Sequence, residues 1–185
     1  MDFTEKTLTQ EYQFKGRIIK CRTDTALLPD GTECYREVCE HPGGVGVLPI
    51  TKEGEVILVR QFRYPYGETL LEIPAGKLDH GPDEDPAGCA VRELKEETGF
   101  TAGRMVALGK SYPSPGFLTE ILHAYCALDL VPGESQPDEG EFVEVVRLPI
   151  REVERQIASG ELCDGKTMIA MYRARLLGLL DGFDH

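Results

Sequence analysis

The sequence is poor in basic charge. Its 20 Lys and Arg stand against 32 Asp and Glu among 185 residues, which gives a formal net charge of -12. Such a chain repels polyanions, so we expect neither nucleic acid nor an anionic membrane surface to bind across its whole surface. An anionic ligand must be met by a local site.

Long apolar runs are also missing. The opening residues "MDFTEKTLTQ" show no basic start followed by an apolar stretch. No later segment approaches the roughly 20 apolar residues that a bilayer span needs. We therefore expect a cytoplasmic protein that binds no membrane.

The cysteines form no Cys-x-x-Cys pair, and without a signal peptide we expect them to be reduced. They are Cys21, Cys34, Cys39, Cys89, Cys126 and Cys163. Cys39 and His41 could suggest zinc. No second pair of ligands follows at a suitable spacing, so we interpret both as ordinary residues.

Repeats and low-complexity tracts are absent, and the length suits one core. Short apolar runs broken by turns predict a small antiparallel β region over residues 1–43. "VGVLPI", "VILVRQF" and "LLEIPAG" then predict strands of a central sheet. We expect residues 44–185 to form the main domain, of α/β or α+β class.

A helix is predicted over residues 86–98, because Asp85 is a good N-cap, Pro86 suits the first turn and Gly99 suits the C-terminal stop. The remaining pattern alternates strands and amphipathic helices. The predicted strands are 104–110, 121–130 and 142–148, and the predicted helices are 149–159 and 165–180.

Glu93, Glu96 and Glu97 are spaced i, i+3 and i+4, so they share one face of this helix and repel one another. Lys95 and Arg92 are expected off that face, so the cluster needs another counter-charge. Mg²⁺ or Mn²⁺ prefers carboxylate oxygens and is often completed by substrate phosphates. The alternative for such spacing alone is a solvated acidic surface.

The turn "PAGK" favours the metal interpretation. It lies about twenty residues upstream of Glu96 and leads through an acidic loop into the helix. The Ala75 carbonyl and the Gly76 backbone can approach a ligand closely because glycine has no Cβ. Strand, glycine turn and acidic helix together indicate a phosphate-processing site.

The segment "GKLDHGPDEDPAGCAVRELKEETGF" resembles the Nudix box of the Nudix hydrolases, G-x5-E-x7-R-E-U-x-E-E-x-G-U, in which U is apolar. The matching positions are Gly76, Glu84, Arg92, Glu93, Leu94, Glu96, Glu97, Gly99 and Phe100. One departure concerns the loop: seven residues, not five, separate Gly76 from Glu84.

The resemblance extends over most of residues 14–180. "EHPGGVGVLPI", "VRQFRYP", "LLEIPAGKLD", "SPGFLTE" and "EFVEV" follow in the order seen in ADP-ribose and ADP-sugar pyrophosphatases. Pro115 stands sixteen positions after Gly99, where a proline marks ADP-ribose-type substrates in that subfamily.

This resemblance implies a Nudix-type α/β/α sandwich with a mixed central sheet. It also implies metal-dependent hydrolysis of ADP-ribose to AMP and ribose 5-phosphate, with the metal on Glu93, Glu97, the Ala75 carbonyl and Glu84. Glu96 is the third carboxylate, and Arg92 is expected to hold Glu84 toward the site.

Further roles follow from the same resemblance. A late loop glutamate should orient the attacking water, with Glu141 matching best and Glu139 second. Arg63, and after it Arg60, are candidates for phosphate contacts because a guanidinium suits phosphate oxygens.

Residues of the N-terminal region complete the implied substrate site. Arg36 and Glu37 align with residues that reach the adenosine end from a partner subunit, and Tyr35 could stack on the base. A homodimer with a shared active site is therefore expected.

Two alternatives remain open. The first is a GDP-mannose or other nucleotide-sugar pyrophosphatase, which shares the box. The second is a non-catalytic nucleotide-sensing domain, although such a domain usually shows eroded metal acids and an attached DNA-binding segment, and neither is seen here.

Overall fold

The computed structural model describes residues 2–81, 83–136, 140 and 142–183. These divide into two compact units that alternate along the chain. The first joins Met1–Gly43 to Tyr112–Ile121, and the second joins Gly44–Ser111 to Leu122–His185. The sequence pattern gives no sign that the segment at 112–121 belongs with the N-terminal residues.

The first unit contains an antiparallel three-stranded sheet. Its strands, in the order β1-β2-β3, are β1 (Lys6–Lys15), β2 (Lys20–Leu27) and β3 (Glu33–Glu40). Between β2 and β3, the side chain of Asp30 accepts a hydrogen bond from the Thr32 amide at 2.9 Å, which is typical of a turn. The expected N-terminal antiparallel region is thus confirmed.

The second unit has a four-stranded and a three-stranded sheet. Their strands are β4 (Gly44–Pro49), β5 (Glu55–Arg63), β6 (Glu68–Glu72), β7 (Ala75–Lys77), β8 (Thr101–Ser111), β9 (Leu122–Val131) and β10 (Val143–Pro149). In the sheet β7-β4-β9-β8, β4 runs parallel to β9 and the other pairs are antiparallel, whereas β10-β5-β6 is wholly antiparallel. The predicted mixed sheet is confirmed.

The helices of the second unit are α1 (Pro86–Thr98), α2 (Ile150–Ser159) and α3 (Gly165–Leu176). The Asp85 side chain caps α1 by accepting from the amides of Ala87 and Gly88, so the predicted helix over 86–98 is confirmed. Among the described residues, no helix has the length and apolar character needed to cross a membrane.

Helix α3 is shorter than predicted. It ends at Leu176 and not at residue 180. The Leu177 and Gly178 amides donate to the carbonyls of Arg173 and Arg175, and Gly178 adopts a positive φ of 69°. A left-handed glycine ends a helix even where the apolar periodicity continues.

Two apolar clusters place helices on opposite faces of the strands. Val47 of β4 packs in a cluster with Leu94 of α1. The next residue, Leu48, points the other way and packs with Val153 of α2 and Ala170 of α3, as the period of two in a strand requires. The second unit is therefore an α/β/α sandwich, and it presents α1 next to strand β7.

Candidate active site

Strand β7 and helix α1 bring two carboxylates onto one short stretch of backbone. Glu97 is only 3% exposed, and its Oε2 accepts a hydrogen bond from the Ala75 amide at 3.1 Å. The Glu93 carboxyl lies over the next residue: a Cβ on Gly76 would stand 2.0 Å from its Cδ and Oε1. A side chain at position 76 would therefore push the Glu93 carboxyl away from this backbone.

Arg92 joins the acidic residues. Its Nη1 lies 2.7 Å from Glu93 Oε1 and 2.8 Å from Glu96 Oε2, and its Nη2 lies 3.4 Å from Glu84 Oε1. Arg92 stands one residue before Glu93, but its long side chain reaches Glu96 one turn further along the helix, so it contacts two of the three acids and not none of them. One guanidinium meets three carboxylates, so this group keeps a surplus of negative charge.

The pKa of Arg92 follows from these contacts. Burial alone would lower it, but the charges of Glu93 and Glu96 outweigh burial and raise the pKa above its usual range. Arg92 is thus a permanent cation that orders the helix acids.

Glu84 is fixed in the loop before α1. Its Oε2 accepts a hydrogen bond from the His80 amide at 2.9 Å. This bond lowers the pKa of Glu84, with burial opposing and Arg92 adding to the effect. The two-residue insertion upstream therefore leaves this carboxylate ionised and in contact with Arg92.

In the described part of the chain, no three His, Cys, Asp or Glu side chains are arranged to hold a metal ion. The carboxylate oxygens of the helix acids face hydrogen-bond donors instead: Glu93 and Glu96 face Arg92, and Glu97 faces the Ala75 amide. The donor chemistry suits a hard divalent cation, because two carboxylates meet at the backbone of β7. The close approach at Gly76 is what brings them together, so the residues fit such an ion.

Arg63 is held by a buried carboxylate. Its Nε and Nη2 donate to Glu72 Oε1 and Oε2 at 2.6 and 2.7 Å. Glu72 is 1% exposed, whereas the Arg63 side chain is 37% exposed. The hydrogen bond to Glu72 raises the pKa of Arg63, and the charge of Glu97 acts in the same direction. Arg63 is thus electrostatically coupled to the metal-binding candidates.

Glu72 also pairs with a second basic side chain, Lys166. Lys166 Nζ donates to Glu72 Oε2 and, at 2.9 Å, to Asp164 Oδ1. Burial would raise the pKa of Glu72, but the hydrogen bond from Arg63 and the charge of Lys166 outweigh it and lower the pKa. The buried carboxylate is therefore ionised between two cations, as burial of a charge requires.

Thr167, fully buried at the start of α3, fixes the chain between β6 and β7. Its hydroxyl accepts from the Ile73 amide at 2.9 Å and donates to Asp164 Oδ2 at 2.6 Å. The end of strand β6 and the segment that leads into strand β7 are therefore tied to one helix terminus.

Sequence reasoning missed Glu72, Lys166 and Thr167. Glu72 gave a usable signal, since an acid inside the apolar run "LLEIP" needs a partner when buried. Lys166 and Thr167 gave little, because Asp164 followed by Thr167 indicates only a helix cap.

The remaining predicted residues belong to several elements of both units. Arg60 Nη1 pairs at 2.7 Å with Glu144, the residue directly opposite on β10. In the first unit, Arg36 pairs with Glu5 at 2.7 Å and Tyr35 is exposed. Also in that unit, Glu37 lies on β3 and Pro115 lies in a turn. Glu139 and Glu141 lie outside the described residues.

The NUDIX domain family model matches residues 40–168. That range runs from the end of β3 to the first turn of α3 and includes every helix acid described above. This chain belongs to the Nudix family.

Three relatives match most of the chain. It is 41% identical over 174 residues to an ADP-ribose pyrophosphatase of Bacillus subtilis (strain 168), with 93% of each chain covered. It is 42% identical over 176 residues to the methanol dehydrogenase activator of Bacillus methanolicus, with 94% of each covered. A GDP-mannose pyrophosphatase of Yersinia enterocolitica is 37% identical over 155 residues, covering 78% of this chain and 80% of that protein.

A solved structure supports the fold. The crystal structure of an ADP compounds hydrolase matches with a TM-score of 0.84 over 98% of both chains, at 23% sequence identity. The expected Nudix-type fold is confirmed.

Proposed function

We propose that this protein is a divalent-metal-dependent pyrophosphatase that hydrolyses ADP-ribose to AMP and ribose 5-phosphate. The observation that carries the proposal is the meeting of Glu93 and Glu97 at the backbone of Ala75 and Gly76. The ADP-ribose pyrophosphatase of B. subtilis, 41% identical over 93% of its length, supports the choice of substrate.

The metal site that we propose uses Glu93, Glu97 and the Ala75 carbonyl, with Glu84 in support. A bound Mg²⁺ or Mn²⁺ supplies positive charge that screens the diphosphate and polarises its phosphorus. Arg92 pairs with Glu93, Glu96 and Glu84 beside that site, so a bound cation would compete with Arg92 for the Glu93 carboxylate.

Arg63 is our first candidate for binding the diphosphate of the substrate. Its pairing with Glu72 uses Nε and Nη2, which leaves Nη1 for a phosphate oxygen. Its partial exposure and its coupling to Glu97 support this role. Arg60 is a second candidate, although its ion pair with Glu144 also suits an ordinary strand surface.

The other roles stay proposals drawn from the family resemblance. Glu141, or in its place Glu139, orients the attacking water. Arg36, Glu37, Tyr35 and Pro115 contribute to substrate recognition. We propose a cytoplasmic homodimer in which Tyr35, Arg36 and Glu37 of the region 1–43 contribute to the substrate site in the domain 44–185 of the partner.

GDP-mannose is the second candidate substrate. The GDP-mannose pyrophosphatase of Y. enterocolitica, 37% identical over 155 residues, favours it. Both reactions would use the same helix acids, so only the nucleotide and sugar would differ.

A substrate panel tests the proposal. The purified protein is incubated with ADP-ribose, ADP-glucose, GDP-mannose, NADH and diadenosine polyphosphates, with Mg²⁺ and separately with Mn²⁺. We expect equal amounts of AMP and ribose 5-phosphate from ADP-ribose, at the highest kcat/KM of the panel. Faster hydrolysis of GDP-mannose would establish the alternative, and hydrolysis of no compound would contradict both.

A further inference from the structure

Two thiols of the first unit face each other and have no part in the proposed reaction. Cys21 on β2 lies directly opposite Cys39 on β3 in the antiparallel register. Both are free and only partly exposed. Cys34 also lies on β3, but its partner on β2 is Ala26 and not a cysteine.

The backbone shows which kind of cross-strand pair this is. The Cys39 amide donates to the Phe117 carbonyl at 2.7 Å, and the Cys39 carbonyl accepts from the Thr119 amide at 3.0 Å. Both groups therefore point away from β2, so Cys21 and Cys39 form a non-hydrogen-bonded pair.

This kind of pair brings side chains closest together. In antiparallel sheets, the Cα atoms of a non-hydrogen-bonded pair are about 4.5 Å apart. A disulfide spans Cα separations of about 4.4–6.8 Å. The two strands can therefore be bridged without moving apart or shifting register.

We propose that Cys21 and Cys39 form a reversible disulfide when the protein meets a hydroperoxide or a small-molecule disulfide. With hydrogen peroxide, one thiolate attacks an oxygen, the O–O bond breaks, and the products are a sulfenic acid and a hydroxide that takes a proton from solvent to become the first water. The second thiol attacks that sulfur, the S–S bond forms and a second water leaves. With oxidised glutathione, two thiol exchanges give the same bridge and release two reduced glutathiones.

The bridge would constrain more than two residues. The backbone of Cys39 holds Phe117 and Thr119, so it connects β3 to the segment that follows Pro115. A covalent link from β2 to this point removes freedom from the unfolded chain, and the thermal unfolding midpoint rises. Burial, followed by the neighbouring Cys21 thiol, raises the pKa of Cys39, so mildly alkaline buffer is used to favour the thiolate.

Peptide mapping under non-reducing conditions tests the proposal. The reduced full-length chain is incubated with oxidised glutathione, the remaining thiols are alkylated, and the digest is analysed by mass spectrometry. Cys34→Ser is the matched control, because it removes a partly exposed thiol from the same strand but leaves the opposed pair. Cys21→Ser and Cys39→Ser each remove one partner.

We expect a Cys21–Cys39 crosslinked peptide in the wild type and in Cys34→Ser, and its loss on adding dithiothreitol. Cys21→Ser and Cys39→Ser should instead carry one glutathione on the remaining thiol. The oxidised wild type should unfold at a higher temperature than the reduced protein. Glutathione on both Cys21 and Cys39 without a crosslink, or two unreacted thiols in a folded protein, would overturn the proposal. The result does not depend on pyrophosphatase activity.

Discussion

At position 76, the lack of a single methyl group lets the Glu93 carboxyl rest on strand β7. A Cβ there would stand 2.0 Å from the carboxyl carbon. Gly76→Ala should therefore displace Glu93 and lower kcat by about 10²-fold, since misplacement by about 1 Å is enough for such a loss. Steady-state kinetics with ADP-ribose measure it.

The control for this variant is Gly182→Ala, because a Cβ at Gly182 meets no atom within 4 Å. It should retain wild-type kcat. Comparable activity of Gly76→Ala and Gly182→Ala would mean that the contact at Gly76 does not position Glu93 for the reaction.

Glu72 gives a prediction about pH. Its pKa in the folded protein is below the usual 4.5, so its pairing stabilises the fold fully above about pH 4.5 and less as pH falls through the folded value. Glu72→Gln should lower the free energy of unfolding at pH 7 by about 1–3 kcal/mol. Urea unfolding at decreasing pH should show the difference shrinking, and a difference that stays constant below pH 4.5 would contradict it.

The sequence predicts which acids of the site lie together, but it does not predict the contacts of Arg92 or Glu72. The grouping of Glu93 and Glu97 follows from helical periodicity and the close approach at Gly76 follows from the glycine turn. The reach of Arg92 depends on the conformation of its side chain, and the partners of Glu72 come from Arg63 and from Lys166, 94 residues later. Periodicity carries no information about either.

At the scale of elements, the start of helix α3 stabilises the turn between β6 and β7. Thr167→Val keeps the shape of the side chain but leaves the buried Ile73 amide without its hydroxyl acceptor. We expect a loss of about 1–3 kcal/mol in the free energy of unfolding, measured by urea denaturation.

Thr167→Ser provides the comparison. Serine keeps the hydroxyl and loses one methyl group, which costs about 0.8 kcal/mol in burial. Greater destabilisation by serine than by valine would show that the methyl group, and not the hydrogen bond to Ile73, is what matters.

The sequence predicts the end of a helix correctly where a capping residue or proline alone determines it. Asp85, Pro86 and Gly99 predicted α1 to the residue, because caps and the proline ring determine where a helix begins. The end of α3 was predicted too late, since apolar periodicity continued past Gly178. The pairing of Cys39 with the segment at 117–119 is long-range, and no local pattern indicates it.

At the scale of the whole molecule, a chain of net charge -12 concentrates several carboxylates around Arg92. A divalent cation that binds only the native cluster should raise the thermal unfolding midpoint with concentration. At 100 times Kd, the added stability is about 2.7 kcal/mol. Thermal scans across Mg²⁺ and Mn²⁺ concentrations measure this, and a midpoint that no concentration shifts would argue against a native metal site.

The most direct test of the central claim is the turnover of ADP-ribose by Glu97→Gln. Glutamine keeps the side-chain shape and an oxygen for the Ala75 amide, but it removes one charge from the proposed metal ligands. We predict near-complete loss of kcat at saturating Mg²⁺ with an unchanged melting curve in the absence of metal. Glu53→Gln, an exposed acid in the turn between β4 and β5, should retain full turnover. Near-wild-type turnover by Glu97→Gln would contradict the assignment of the helix acids to metal-dependent hydrolysis.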